Sequence, residues 1–499
     1  MNEKFGILSG KRKHWIYICL FFGVMSFIFL LNSPLHPWVG GDTDIDSSVF
    51  RTVSLMMRNG YMPYRDTFDH KGPLLYLINY AGDMISVDTG VWVLEYISLL
   101  ITLLVLYKTA LLAKCSSIQA VVSVFTAWAL LFVYFEEGNL AEEYAMPFIA
   151  IALFIFMDYL MQGIISKKRL FLCGLCFGCV CLLRVNMTGV WVAFCLVVFI
   201  KSVYEKQFAE LLKFVSWFLA GFSVIIIPVI IWLGMHNSLN AFWLDYVEFN
   251  LVYTSSEGGR AFFSAKWHAF FAYVNTVVCV LTIVSTVFLI IKKNRFIYGV
   301  YLLYILVNLL TISVSGMTYL HYGMILVPTV VLPVAGVFSY FNENEKSGEM
   351  LSFLAIVYLV CNVISGNWIS LIGGMGSLYS NRGNKYYSGE VVSMCEVIQN
   401  NTSEEETISV YGNYNILYVV SNRMHATKYS YQYPIGEVYP KIMDEYWEQL
   451  SEEKPKIIAV QSGRYDESIQ TFLDTNSYDF LWGNEQDLSS SSSIFIRSQ

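Results

Sequence analysis

The sequence predicts an α-helical polytopic membrane protein with about eleven transmembrane helices and a small C-terminal α/β domain. Three observations support this fold class. Of the 499 residues, 56% are hydrophobic and only 14% are charged, and the mean hydropathy is +0.50. Long apolar runs recur through residues 1–374, whereas residues 375–499 are polar. The formal net charge of -7 gives no basic surface, which disfavours a nucleic-acid partner.

The apolar runs set the number of spans, because crossing a bilayer core takes about 20 apolar residues per helix. The first run is not followed by a small-residue cleavage site, so we interpret it as a retained span rather than a signal peptide. The runs begin near Trp15, Val91, Ile118, Ala145, Leu170, Thr188, Phe214, Ala269, Phe296, Tyr322 and Met350.

Basic residues alternate between the two sides of these runs, and lysine and arginine accumulate in cytoplasmic loops. This pattern predicts a cytoplasmic N-terminus and an extracytoplasmic C-terminus. The clusters assigned to the cytoplasm are 11–13, Lys108 with Lys114, 167–169, Lys201 with Lys206 and Lys213, and 292–295.

The segment 170–204 has basic clusters at both ends, so it must cross the membrane twice in a short length. We expect two short helices that meet at "LLRVNMTG" (182–189) near the outer face. Short, broken helices are tolerated where they line a cavity. Arg184 would lie at the tip and face protein or a cavity, because a lipid-facing arginine is costly.

The cysteine run "CGLCFGCVC" (173–181) resembles a metal cluster in spacing alone. It has no nearby histidine, and it lies in a helix at lipid depth. We therefore interpret these cysteines as small buried apolar residues.

The polar tail 375–499 predicts a separate extracytoplasmic α/β domain that caps the protein or docks an acceptor. Its apolar runs are short and bounded by polar residues. In chain order they predict strands at "TISVYG" and "LYVVSN", a helix at "YPKIMDEYWEQL", a strand at "KIIAVQ", a further helix, and a final strand at "SIFIRS".

The first outer loop, 33–90, is unusually rich in charge for a segment at a membrane boundary. It carries positive residues against the positive-inside bias, at Arg51, Arg58, Arg65 and Lys71. A pair of interfacial amphipathic helices would explain Arg51 and Arg58. Such helices explain "YRDTFDHKGPLLYL" poorly, because its charges run straight into an apolar segment. We therefore take a set of its residues as candidate substrate ligands: Arg65, Asp66, Asp69, His70 and Lys71.

Three patterns in this loop carry a family resemblance. Asp46 is followed four residues later by Phe50, then comes Gly-x-x-Pro-Tyr-x-Asp at 60–66, and then Lys-x-Pro-Leu at 71–74. The loop resembles the first outer loop of the GT-C membrane glycosyltransferases, in the branch of protein O-mannosyltransferases and lipid A aminoarabinose transferases. It is most similar to bacterial members found among cell-surface polysaccharide genes. The chain departs from the family pattern at Ser47, where a glutamate is usual, and at Gly72, where a proline is usual.

The resemblance implies transfer of a sugar from a polyprenyl-phosphate donor to a cell-envelope glycan or lipid hydroxyl, on the outer face of the bacterial plasma membrane. Asp46 matches the family's catalytic position and would act as general base, with Asp44 as its rival. Lys71 matches the lysine that lies near the lipid phosphate.

Further candidates lie outside the first loop. Glu142 and Glu143 could bind a divalent cation or sugar hydroxyls, or could simply form a solvated turn. Arg184 is a second candidate phosphate ligand, with a structural ion pair as the alternative. His321, next to Tyr322, could donate to phosphate or sugar, or could be a hydrogen-bonded histidine at the membrane interface.

Two other functions fit the composition. A lipid-linked sugar flippase or transporter would concentrate its charge within the spans, whereas here the charge gathers at the outer boundary. A polysaccharide polymerase or ligase would place its large outer loop late in the chain, whereas here the large loop comes first.

Overall fold

The computed structural model describes residues 2–38, 41, 45–136, 138–255, 260–364, 373–376 and 387–498. The described chain is mostly helical and includes one four-stranded sheet. The longer helices up to residue 359 are Asn2–Phe29, Ile45–Arg58, Pro73–Ile85, Gly90–Leu112, Ser117–Leu131, Ala141–Gln162, Lys167–Cys181, Gly189–Tyr204, Phe208–Met235, Arg260–Val274, Val277–Lys292, Arg295–Ile312, Val331–Glu343 and Ser347–Leu359.

Six described segments are long and apolar enough to cross a membrane, which makes this a membrane protein: Lys13–Asn32, Gly90–Leu112, Ala141–Gln162, Phe208–Met235, Arg295–Ser315 and Leu320–Glu343. A seventh span is formed if the pair Phe263–Val274 and Val277–Lys292, bent by 71°, counts as one. Each of the eleven predicted runs falls in helical structure. The count of eleven crossings stays a prediction.

The predicted pair of short helices in segment 170–204 is confirmed as local structure. One helix covers Lys167–Cys181, the next covers Gly189–Tyr204, and a turn that includes Arg184 separates them. Each is shorter than the roughly 20 residues that a straight span requires.

Small residues in the cysteine-rich helix allow a neighbouring helix to pack closely against it. A Cβ atom added at Gly174 would lie 1.8 Å from the backbone oxygen of Phe218, and one added at Gly221 would lie 1.9 Å from that of Phe171. Close approach through small residues is a common way for helices to pack in lipid. Cys173, like the cysteines that follow at 176 and 179, is buried as a small side chain.

The chain divides into two compact units, and neither is contiguous in sequence. Unit 1 contains residues 1–33, 92–228 and 259–382. Unit 2 contains residues 34–91, 229–258 and 383–499. The first outer loop thus belongs to the same unit as most of the tail. A domain boundary at 374/375 stays a prediction.

The sheet in unit 2 has the order β1-β2-β4-β3, where β1 is Ile408–Tyr411, β2 is Ile457–Val460, β3 is Tyr478–Trp482 and β4 is Ser493–Arg497. Strands β1 and β2 are parallel, and β4 pairs antiparallel with β2 and β3. The tail's helices are Gly389–Asn401, Ile416–Ser421, Ile435–Val438, Lys441–Glu453 and Glu467–Thr475. The predicted strands at β1, β2 and β4 and both predicted helices are confirmed, whereas β3 was not predicted.

The prediction of a strand at "LYVVSN" is wrong, because these residues lie in and just beyond the helix Ile416–Ser421. Their β-branched residues favour a strand, but burial decides the conformation here. Leu417 and Tyr418 are fully buried, and the Tyr418 hydroxyl accepts a hydrogen bond from the Val410 N–H at 2.8 Å. The helix ends at Ser421, and the next residue, Asn422, has a left-handed backbone.

The helix Ile45–Arg58 is built into the core of unit 2. Its Leu55 packs in one apolar cluster with tail residues that include Val391, Ile398 and Val410. The neighbouring helix Pro73–Ile85 is joined to it through Asp83, which accepts a hydrogen bond from Ser54 and pairs with Arg58 at 3.3 Å. These contacts join the two helices near their C-terminal ends, whereas Asp46 lies in the first turn of one helix and Lys71 just before the start of the other.

The predicted topology can be tested by thiol labelling. In a background without the ten native cysteines, Asn59→Cys and Ser490→Cys, both at exposed positions, should react in intact cells with an impermeant maleimide. Lys168→Cys, in a basic cluster, should react only after the cells are permeabilised. The reverse labelling pattern would invert the topology.

Candidate functional site

The motif that begins at Gly60 folds into a tight turn around a strained tyrosine. Tyr64 has φ of +67°, a left-handed conformation that bulky residues rarely adopt. Its N–H donates to the Thr67 oxygen at 2.8 Å, and its hydroxyl donates to the Lys71 oxygen at 2.8 Å. Its ring lies edge-on to Tyr76 and Phe242. The turn is therefore fixed on the backbone of Lys71.

Arg65 and Asp66 stabilise the conformation of this turn. They pair with each other at 2.7 Å, and Asp66 Oδ2 also accepts the Met62 N–H at 2.7 Å. Arg65 Nη1 donates to the His236 oxygen at 2.8 Å. These contacts show that both side chains stabilise the turn. Their role as substrate ligands stays a prediction.

Asp69 is a buried carboxylate, only 2% exposed, that accepts three hydrogen bonds. The His70 N–H and the Tyr431 hydroxyl donate to Oδ1 at 2.7 and 3.0 Å, and the Tyr76 hydroxyl donates to Oδ2 at 2.8 Å. Burial raises the pKa of Asp69, but the contact with His70, the charge of Lys71 and the Tyr76 hydrogen bond outweigh it, so the pKa is below its ordinary value. The carboxylate is a fixed negative charge.

Lys71 pairs with Asp46, and its charge also acts on the buried carboxylate of Asp69. Its Nζ is 3.5 Å from Asp46 Oδ2 and 3.5 Å from His70 Nε2. The Lys71 side chain is 9% exposed, whereas that of Asp46 is 34% exposed. The pair therefore presents a reachable carboxylate next to a largely buried cation.

His70 is part of the same cluster. Burial and the neighbouring charge of Lys71 lower its pKa, against the opposing pull of Asp69. At neutral pH the imidazole is therefore uncharged, and the positive charge of the cluster resides on Lys71. The His70 ring also packs against Phe249, with centroids 5.3 Å apart.

Two distant segments of unit 2 hold the motif in place. From the tail, His425 Nε2 lies 3.0 Å from the Thr67 hydroxyl, and the Lys428 oxygen accepts the Phe68 N–H at 2.8 Å. From segment 229–258, Asn250 donates to the His70 oxygen at 2.7 Å. Sequence reasoning missed all of these partners, because nothing in their local sequence marks them as neighbours of the loop.

The two supporting segments are also linked to each other. Lys428 Nζ lies 2.8 Å from Asp245 Oδ2. Burial raises the pKa of Asp245 to about 6, although the lysine opposes the shift. The Lys428 ammonium also lies 6.0 Å from the ring centre of Phe68 and 5.9 Å from that of Tyr429. The ion pair thus sits directly beside the motif.

Unit 1 brings together four other predicted site residues: Arg184, Glu142, Tyr322 and His321, whose ring centre lies 4.8 Å from that of Tyr322. Arg184 Nη1 donates to Glu142 Oε1 at 2.8 Å, and its guanidinium lies 3.9 Å from the ring centre of Tyr322. Glu136 Oε2 forms a hydrogen bond with Nδ1 of the His321 ring, and it also accepts one from the His321 backbone N–H at 3.1 Å. Glu136 was not predicted, although it precedes Glu142 in the same outer segment.

Glu143 has a local structural role. Its Oε1 accepts the Leu140 N–H at 3.2 Å, which caps the helix Ala141–Gln162. The rival base, Asp44, lies outside the described residues. In the part of the chain that the structure describes, no three His, Cys, Asp or Glu side chains form a metal-binding group.

The Asp245–Lys428 pair predicts a measurable pH dependence. With an unfolded pKa of about 3.9 and a folded pKa of about 6, Asp245 stabilises the folded state by up to about 3 kcal/mol, fully below pH 4. This contribution is lost as pH rises through 6, since the folded state binds the proton more tightly. The melting temperature of Asp245→Asn, measured relative to the wild type, should therefore rise between pH 4 and 7.

Lys428→Met is the matched control for this measurement. It removes the counter-charge, so the pH window should move upward instead of vanishing. A difference between Asp245→Asn and wild type that stays constant across this pH range would contradict the assignment.

Comparison with known proteins identifies the fold. No protein-family model and no curated protein sequence matches the chain. Two solved structures of ArnT from Cupriavidus metallidurans match it, one bound to undecaprenyl phosphate and one in the apo state. Their TM-scores are 0.57 and 0.55 at 11% and 10% sequence identity, over 97% of this chain and 98% of that chain. The chain therefore has the fold of ArnT.

Proposed function

We propose that the protein is a glycosyltransferase that moves a sugar from a polyprenyl-phosphate-linked donor to a hydroxyl of a cell-envelope acceptor. The observation that carries this proposal is the pair formed by Asp46 and Lys71, 3.5 Å apart, in the loop that resembles the GT-C family. The full-length likeness to ArnT bound to undecaprenyl phosphate supports the same donor class. We place the reaction on the outer face of the bacterial plasma membrane.

Asp46 is proposed as the general base. The acceptor oxygen attacks the anomeric carbon of the sugar, its proton passes to Asp46, and the bond from that carbon to the phosphate oxygen breaks. The polyprenyl phosphate leaves with the electron pair of that bond. The exposure of Asp46, 34%, gives an acceptor hydroxyl a way to reach it.

Lys71 is proposed as the cation that binds the donor phosphate and stabilises it as it departs. Its ammonium is a point charge with three donors, which suits a phosphate oxygen. Binding of a phosphate would draw Lys71 away from Asp46. A carboxylate that loses a neighbouring cation binds a proton more readily, so donor binding would prepare the base.

Arg184 is proposed as a further ligand for an anionic group. Its guanidinium has five N–H donors, and the ion pair with Glu142 engages Nη1. Glu142 and His321 are proposed to bind sugar hydroxyls near it. These roles are independent of the one proposed for Lys71, and that of Arg184 is tested by a variant of its own.

Asp46→Asn tests the base directly. Asparagine preserves the shape and much of the hydrogen bonding of the side chain, but it cannot take the proton. Loss of a general base lowers turnover by about 100- to 10,000-fold, and we expect a fall of that order with little change in donor KM. The measurement is steady-state transfer by purified protein.

Asp42→Asn is the control, since it removes the same charge four residues away. A purely electrostatic effect of the acidic loop would give similar, modest losses in both variants. Near wild-type turnover in a folded Asp46→Asn protein would exclude Asp46 as the base, and Asp44 would be the next residue to test.

Lys71→Ala and Arg184→Ala test the phosphate ligands. Each should raise the KM for the lipid donor, and each should lower kcat to the extent that it stabilises the departing phosphate. Lys213→Ala, which removes an exposed lysine paired with Glu210, should leave both constants unchanged. Wild-type kinetics in Lys71→Ala or Arg184→Ala would exclude that residue as a ligand.

A further inference from the structure

The tail of unit 2 contacts three consecutive residues of the motif, 67–69, in order. These contacts pair His425 with Thr67, Lys428 with Phe68, and Tyr431 with Asp69. Only the third reaches a charged side chain. The tail therefore supplies one of the hydrogen bonds that hold the negative charge beside Lys71.

Burial and ring packing hold Tyr431 in position to donate a hydrogen bond to Asp69. It is 4% exposed, its ring centre is 6.3 Å from that of Phe68, and its hydroxyl lies 3.0 Å from Asp69 Oδ1. Burial and the nearby charge of Asp69 raise its pKa well above the ordinary value, so the hydroxyl keeps its proton and donates it. Phenylalanine would fill the same volume without this donor.

We propose that Tyr431 is a positioning residue of the donor site, acting through Asp69 on Lys71; this rests on the function proposed above. With three donors, Asp69 is satisfied where it lies. When one donor is removed, the buried carboxylate must recover the lost interaction from its nearest cation. The cation whose charge acts on Asp69 is Lys71, and its ammonium would then be drawn from the phosphate toward Asp69.

The same geometry explains why the effect should appear in donor binding. Asp69 also holds the His70 N–H, one residue before Lys71, and Tyr76 bridges Asp69 Oδ2 and the Lys71 N–H. A shift of Asp69 therefore moves the Lys71 backbone as well as the charge next to it. The charge of Asp46 also acts on Tyr431 and contributes to its raised pKa, so binding of undecaprenyl phosphate, in which the base takes no part, is the readout that isolates the effect on Lys71.

The experiment compares Tyr431→Phe with Tyr433→Phe, which removes a hydroxyl that faces Tyr411 and Asp466 instead. Purified full-length variants are assayed for donor KM, kcat and binding of undecaprenyl phosphate. Tyr431→Phe should weaken lipid binding and raise donor KM by about tenfold, the size of a lost hydrogen bond to a charged group, and kcat should fall by no more than it does in Lys71→Ala. Tyr433→Phe should bind and react like wild type.

A double variant distinguishes an effect of Tyr431 that passes through Lys71 from a general loss of protein stability. In a Lys71→Ala background, adding Tyr431→Phe should cause no further loss of donor affinity, because its effect passes through Lys71. A further tenfold loss there would overturn the inference. If Tyr431→Phe gives little folded protein, Tyr76→Phe takes its place, because it removes another donor from the Asp69 carboxylate, and the same loss in donor affinity is expected.

The outcomes for the two proposals differ. A wild-type protein that neither binds undecaprenyl phosphate nor consumes a polyprenyl-phosphate sugar would overturn the proposed function, and this inference with it. A wild-type protein that does both, together with a folded Tyr431→Phe variant of unchanged donor affinity, would overturn this inference alone.

Discussion

The buried carboxylate of Asp69 is the constraint on which the motif of unit 2 depends. A charge that is removed from water must be met by hydrogen bonds and a counter-charge, or it destabilises the fold. Here the donors come from the adjacent residue, from Tyr76 at the start of the next helix, and from Tyr431 in the tail. Lys71 supplies the charge. The hydrogen bonds and the counter-charge of Asp69 therefore form only when the loop, the helix and the tail fold together.

This constraint leaves the two proposed reactive groups in different surroundings, since the Lys71 side chain is largely buried and that of Asp46 is partly exposed. Asp69 neutralises part of the field of Lys71 from the buried side, while Asp46 meets the same lysine from the exposed side. A phosphate that approaches Lys71 therefore meets an oriented cation with a carboxylate next to it. Tyr64, whose backbone is left-handed, also helps to orient Lys71, because its hydroxyl donates a hydrogen bond to the Lys71 carbonyl. Strain of this kind persists where surrounding contacts determine it strongly.

The sequence predicted what depends on local pattern. Apolar runs and short alternating strands are local, so the helices and three strands were predictable. The segment 416–421 was not, because its burial in the tail core overrides the propensity of its residues. The contact of Asp69 with Tyr431 spans 362 residues, and no local signal announces it. Glu142 and Arg184 were found as separate candidates, and only the structure shows that they pair.

The central claim, that the outer-loop motif performs sugar transfer from a lipid phosphate, is tested most directly by consumption of the donor. Purified protein in liposomes is given polyprenyl phosphates that carry different radiolabelled sugars, together with a cell-envelope acceptor fraction. At least one sugar should move to the acceptor, and Asp46→Asn should abolish nearly all of this transfer. Intact labelled lipid that only changes leaflet, in the wild type and in Asp46→Asn alike, would contradict the account and favour a flippase.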